Sequence, residues 1–166
     1  MFDFIGPEQE QYKLDEVREA ESLLLGRVTY EGFSAAWPER KGEFADKMNS
    51  MPKRVVSSTL SEPLRWDNSS VVRGDVAAEV AKLKEKYGGP ILVAGSQTLV
   101  HSLIQDDLVD EYRLMLFPVL IGGGKRLFPD SPDKHTLKLV DSKAFDSGVV
   151  VHTYHPDRSS VGTDAG

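Results

Sequence analysis

Twice in this 166-residue chain a short apolar run breaks at a glycine and passes directly into a helical pattern. The first run is Ser22-Leu23-Leu24-Leu25-Gly26, followed by Tyr30, Phe33 and Trp37 three and four apart on one helix face. The second is Ile91–Ala94, broken by Gly95 and Ser96, with Leu99, Val100 and Leu103 recurring beyond them. A strand that turns straight into a helix leaves free backbone N–H groups at the helix N-terminus. Those donors, with the positive end of the helix dipole, suit a phosphate. The plain alternative is a βα turn that needs glycine only for its backbone angles. The continuous run Ile91–Ala94 suits a strand covered on both faces, so Pro90–Leu103 is expected to be the stretch around which the chain is organised.

Around these two turns, strands and helices alternate. Helical spacing runs from about Glu8 to Glu21, entered at Gly6-Pro7, and a short amphipathic helix covers Gly42–Met48. Strands are expected at Lys53–Ser57 and Ser70–Val72. A helix over Val76–Tyr87 follows, capped by Gly74-Asp75. Alternation of this kind implies parallel strands with right-handed crossovers. After Leu108 the pattern changes. Glu111–Leu120 reads as one long strand and Ile121–Lys125 as a loop. Leu137–Phe145 and Val149–Tyr154 form an antiparallel hairpin about Asp146-Ser147-Gly148. Residues 157–166 are a polar tail behind a single domain over 1–156.

Composition excludes several classes. The chain has no cysteine, hence no disulfide, thiolate metal site or cysteine nucleophile, and no run approaches the length that crosses a bilayer. The start MFDFIGPEQEQ lacks a basic and then apolar leader, which points to the cytoplasm. A net charge of −6 opposes a broad nucleic-acid surface, though not a local anion site. Gly122-Gly123-Gly124-Lys125 is not a phosphate loop, because Val119 and Arg126 stand where that motif needs glycine and a hydroxyl. His152 and His155, three apart on a strand, point to opposite faces and make no metal pair.

Two local groupings suit an anion. At the first turn Arg27 can grip a phosphate through its planar fork, with the Thr29 hydroxyl as a further donor. Against this, Arg27 reads equally as a solvated side chain and Thr29 as a helix cap. Ser57-Ser58-Thr59 at a strand end offers three hydroxyls, although such clusters also serve simply as turns. Tyr30, Phe33 and Trp37 read as core.

Leu25-Gly26-Arg27-x-Thr29-Tyr30-Glu31 resembles the nucleotide-binding turn of dihydrofolate reductase-like proteins. Further stretches resemble the bacterial branch related to the C-terminal reductase domain of the bifunctional riboflavin-biosynthesis protein. They are Met48-Asn49-Ser50-x-Pro52-Lys53 with Val55-Val56-Ser57, then Ala94-Gly95-Ser96, Leu108-Val109-Asp110-Glu111, and Pro118-Val119 followed by Gly122-x-Gly124-Lys125-x-Leu127-Phe128. The resemblance spans about Phe4 to Pro156. It implies a three-layer αβα fold with a mixed, mainly parallel sheet and an antiparallel C-terminal hairpin. It also implies NADPH as cofactor. Gly26 would belong to the cofactor-binding turn, with Arg27 near the 2′-phosphate, Thr29 at the pyrophosphate, Ser57, Ser58 and Thr59 around the adenosine, and Gly95, Ser96, Gln97 and Thr98 on the pyrophosphate's other side. No metal is implied.

The activity so implied is an NADPH-dependent reduction of a small heterocyclic or sugar-like substrate, as in the aminouracil reductase step of riboflavin biosynthesis. The rival reading is a non-catalytic nucleotide-binding or self-associating protein of the same fold. No proton donor stands out; Glu10 on the first helix is the candidate, against a plain solvated acid. Family members begin with a strand and loop ahead of that helix, and Met1 falls within the end of the loop. The resemblance therefore implies a gap in the sheet beside Leu23–Leu25. The chain is expected either to be poorly soluble or to fill the gap by pairing with a second copy, making a homodimer, with no nucleic acid or membrane as partner.

Overall fold

The computed structural model describes residues 4–131 and 133–160. What the sequence implies about Met1, and about the tail beyond Ser160, lies outside the described residues. The tail's described part includes a short 3-10 turn at Arg158–Ser160. The elements run α1 (Pro7–Glu19), β1 (Ser22–Gly26), α2 (Arg27–Ala36), α3 (Glu43–Ser50), β2 (Lys53–Val56) and β3 (Ser69–Val72). They continue with α4 (Val76–Lys86), β4 (Ile91–Val93), α5 (Gln97–Gln105), β5 (Tyr112–Leu116), β6 (Leu137–Ala144) and β7 (Val150–Pro156). This is a three-layer α/β fold with a mainly parallel sheet plus an antiparallel hairpin. Two compact units make it up, residues 11–108 and residues 1–10 with 109–166.

In the first unit four parallel strands stand in the order β3-β2-β1-β4. β1 is the centre: all five of its residues are buried, as an unbroken apolar run with parallel neighbours on both sides requires. Two expectations are corrected here. The Ile91–Ala94 run is not covered on both faces, since β4 is only part-buried and pairs with β1 alone among the described residues. Nor does a gap flank Leu23–Leu25, because β2 and β4 occupy both sides of β1.

The core gathers Val17, Leu23, Leu25, Tyr30, Met48, Val55 and Trp66, with Phe33 and Trp37 packed against it. The aromatics are thus structural. Asn49 knits this core: its amide donates to the Trp37 carbonyl at 3.1 Å and accepts the Trp66 indole N–H at 2.8 Å. Lys53 is fully buried beneath the same indole, its Nζ 4.4 Å from the ring and bonded to the carbonyls of Asn49 (2.8 Å) and Met51 (2.7 Å). Burial pushes the Lys53 ammonium down to about 8, with the charge of Asp67 opposing.

In the second unit β5, β7 and β6 form an antiparallel ladder with β7 in the middle. The hairpin closes as its turn residues demand, with Gly148 at φ +84° and Phe145 N–H on the Val149 carbonyl at 2.9 Å. β5 is shorter than the sequence implies. It stops at Leu116, just ahead of Pro118, which has no N–H to continue a ladder. Among the described residues no helix is long and apolar enough to cross a membrane.

Candidate functional site

In a parallel sheet the strands all finish on one rim, and in α/β sheets ligands bind at that rim. Gly26, Val56 and Val72 form one register row across β1, β2 and β3. The residues that follow them, Arg27, Ser57 and Arg73, therefore leave the sheet side by side. They line a single cavity of about 940 Å³ within the unit of residues 11–108.

The two glycine turns meet in its wall. Gly26 N–H donates to the Gly95 carbonyl at 3.1 Å. A Cβ on Gly26 would collide with Ser96 Oγ and lie 2.9 Å from Ser96 Cβ. Gly95 sits at φ +127°, where a Cβ is strained, and that Cβ would meet Thr29 Oγ1 at 2.9 Å. Only glycines let the turns come this close.

The N-termini of three helices open on the cavity, and they differ. α2 starts after Gly26, which has no side chain, and α5 after Ser96, whose hydroxyl makes no capping bond. α4 is capped by its own acid, the Asp75 carboxylate accepting from Ala78 N–H at 3.1 Å. α2 and α5 thus keep the donors and dipole that attract an anion, whereas α4 has already neutralised its own.

The side chains predicted from sequence divide by role. Arg27 lines the cavity, half-exposed, and grips both oxygens of Glu31 at 2.9 and 3.0 Å. Ser57 is buried, and its Oγ accepts the N–H groups of Thr59 (3.1 Å) and Leu60 (3.0 Å), so it organises the loop. Ser58 and Thr59 are exposed on the cavity wall, as is Thr98, while Ser96 lines it half-buried. Thr29, Gly95 and Gln97 stand behind the wall rather than in it. Glu10 is exposed on α1.

Sequence reasoning missed Arg73, and it read the Gly74-Asp75 turn correctly as the cap of α4 but not as part of the cavity wall. Arg73 donates to the carbonyls of Ser57 (3.5 Å) and Leu60, fastening the hydroxyl loop while facing the cavity. The signal was available: Arg73 follows a strand of the same parallel sheet, as Arg27 and Ser57 do. Among the described residues no cluster of His, Asp and Glu could hold a metal ion.

A parallel sheet of this order, with a cavity at the rim where its strands end, defines a three-layer α/β protein with the fold of the dihydrofolate reductase-like neighbours. The chain belongs to the RibD C-terminal domain family, whose profile matches residues 2–151. It is 33% identical over 147 residues to the uncharacterized protein YyaP of Bacillus subtilis (strain 168), covering 85% of this chain and 77% of that one. A putative riboflavin biosynthesis protein from Shewanella sp. PV-4 superposes with TM-score 0.70 at 24% identity, over 86% of this chain and 77% of that one. Dihydrofolate reductase from Enterococcus faecalis, solved with NADP(H) and RAB-propyl, superposes with TM-score 0.61 at 18% identity, over 90% and 82%.

Proposed function

We propose that this protein is an NADPH-dependent reductase acting on a C=N or carbonyl bond of a small heterocyclic or sugar-like substrate. The observation that carries the reading is the pair of helix N-termini without side-chain caps, α2 and α5, joined at the Gly26–Gly95 contact beside an arginine. Two such anion sites in contact match the two phosphates of a dinucleotide. A single phosphate would need only one.

On this reading the N–H groups of α2 and α5 take the pyrophosphate, helped by Thr98. Arg27 takes the 2′-phosphate, with the hydroxyls of Ser58 and Thr59 beside it on the loop that Arg73 fastens. The adenine lies against the apolar part of the wall, Val28, Val56 and Val72. The bound nicotinamide supplies the hydride; the residues described here anchor, orient and select the cofactor. Enzymes of the riboflavin pathway and their relatives supply the substrate class.

Calorimetric titration of NADPH and NADH tests the reading. NADPH binds the more tightly. Arg27→Ala weakens it by about 1.5–3 kcal/mol and leaves NADH nearly unchanged. Equal losses for both cofactors, or no binding of either, would overturn the assignment.

A further inference from the structure

The charged side chains of the cavity wall are Arg27, Arg73, Asp75 and Asp106. Three of them are engaged: Arg27 with Glu31, Arg73 with the carbonyls of Ser57 and Leu60, and Asp75 with Ala78 N–H. The Asp106 carboxylate has no partner among the described residues. Its position is also unfavourable. Asp106 is the C-cap of α5, where the helix dipole is negative and a basic side chain is preferred, and the last turn of α5 carries none. A carboxylate that weakens its own helix and has no protein partner, on the wall of a cavity, fits a ligand.

Thr98, Ser102 and Asp106 stand four apart, so they share one face of α5, and all three line the cavity. The rise of the helix puts Asp106 about 12 Å beyond Thr98 along the axis. An adenosine 5′-phosphate spans the same length from its phosphorus to its amino nitrogen. The far end of this face has a single hydrogen-bonding sense. Ser102 Oγ donates its hydrogen to the Thr98 carbonyl at 3.2 Å, which leaves it only lone pairs for a ligand. A carboxylate accepts and never donates. The two groups therefore make a pair of acceptors one helical turn apart, and a ligand edge that fits them must carry donors. Leu99, Val72, Val76 and Ala77 make the lining beside them apolar, which suits the faces of a base.

We propose that Asp106, with Ser102 Oγ, sets the identity of the base: it accepts the exocyclic amine of adenine, and the site rejects a purine with an oxo group in that place. The proposal rests on the dinucleotide reading and adds which end of α5 meets which part of the dinucleotide. Phosphate meets the N-terminus, whose N–H groups donate, and the base meets the C-terminal turn, where these two side chains offer acceptors. The two hydrogens of the amine match the two acceptors. An oxo group would set a third lone-pair oxygen against them and leave all three without a hydrogen. Cytosine also carries an amine, but its single ring falls short of Asp106 when its phosphate is at Thr98.

Calorimetric titration of the full chain with NADPH and with its hypoxanthine analogue tests the proposal. The analogue has the oxo group in place of the amine and keeps the phosphates and the nicotinamide. Wild type should bind NADPH about tenfold more tightly than the analogue. Asp106→Ala should bring the ratio to within about twofold. Asp106→Asn, whose amide N–H groups can donate to the oxo group, should bind the analogue more tightly than wild type does. Each ratio is taken within one variant, so changes in stability or overall charge cancel. A wild-type ratio near one overturns the proposal. So does an Asp106→Ala chain that binds both dinucleotides more tightly by the same factor, since the carboxylate would then only repel their phosphates. Both of these outcomes leave the dinucleotide reading standing, whereas binding of neither molecule overturns the two together.

Discussion

The Arg27 guanidinium is engaged with both carboxylate oxygens of Glu31, one helical turn along α2, at 2.9 and 3.0 Å. Both contacts come from Nη1, so a phosphate that bonds this nitrogen must displace the carboxylate. The pair is half-exposed, so it contributes only about 0.3–0.5 kcal/mol. Glu31→Gln is therefore expected to tighten NADPH about twofold and leave NADH unchanged, with the gain shrinking as salt is raised. Titrations at two ionic strengths check this, and a loss of NADPH affinity would show that Glu31 orients Arg27 rather than competes for it.

The Gly26–Ser96 approach predicts a coupled pair of variants. Gly26 has φ −78° and ψ 162°, which alanine adopts readily, so Gly26→Ala acts through the clash alone. It should cost about 1–3 kcal/mol in urea unfolding. Adding Ser96→Gly removes both side-chain atoms that the new Cβ meets but leaves the backbone nitrogen of residue 96 at 3.0 Å, and should restore part of the loss. Simple additivity of the two changes would mean that the turns do not touch.

Lys53 makes stability depend on alkaline pH. Its ammonium titrates near 8 when folded against 10.5 when exposed, so between these values the unfolded chain binds the more protons. Stability must then rise with pH across that window, by on the order of 1–3 kcal/mol, while below pH 8 the full cost of the buried charge remains. Denaturant midpoints measured from about pH 7.5 to about pH 10 should show this rise in the wild type and a flatter curve in Lys53→Met.

Asn49→Ala leaves a buried indole N–H without its partner and takes one of two donors from the Trp37 carbonyl, which keeps the Arg40 N–H. It is expected to cost about 1–3 kcal/mol of stability. NADPH affinity should be unchanged, since Asn49 is no part of the cavity wall. A variant of native stability and weakened binding would reverse the roles assigned to the core and the rim.

The parts of this fold that sequence makes legible are those governed by local rules. Gly26 and Gly95 mark strand-to-helix turns, Gly95 because its positive φ favours glycine and Gly26 because Ser96 leaves no room for a Cβ, and the helix starts follow within a residue or two. What stayed hidden depends on neighbours far along the chain. Leu23–Leu25 and Ile91–Val93 have the same apolar character, yet only strand order makes the first central and the second part-buried. Ser57 looks like its neighbours Ser58 and Thr59, but its hydroxyl is engaged by two backbone N–H groups of its own loop. Met48-Asn49-Ser50-x-Pro52-Lys53 could be matched to a family without revealing that Asn49 and Lys53 serve the core around Trp66. Arg73 joins the rim only through the register of β2 and β3.

The strand order also dictates a sequence of assembly. β1, β2 and β3 lie close together along the chain, so their pairing closes comparatively short loops, whereas β4 must return across all of them to reach β1. Half of the rim, with Arg27, the hydroxyl loop and Arg73, can form before Gly95 and α5 arrive. On loop length alone the second glycine turn is the later to join. A dinucleotide that spans both turns, as proposed, would act as a latch on the strand that closes the longest loop.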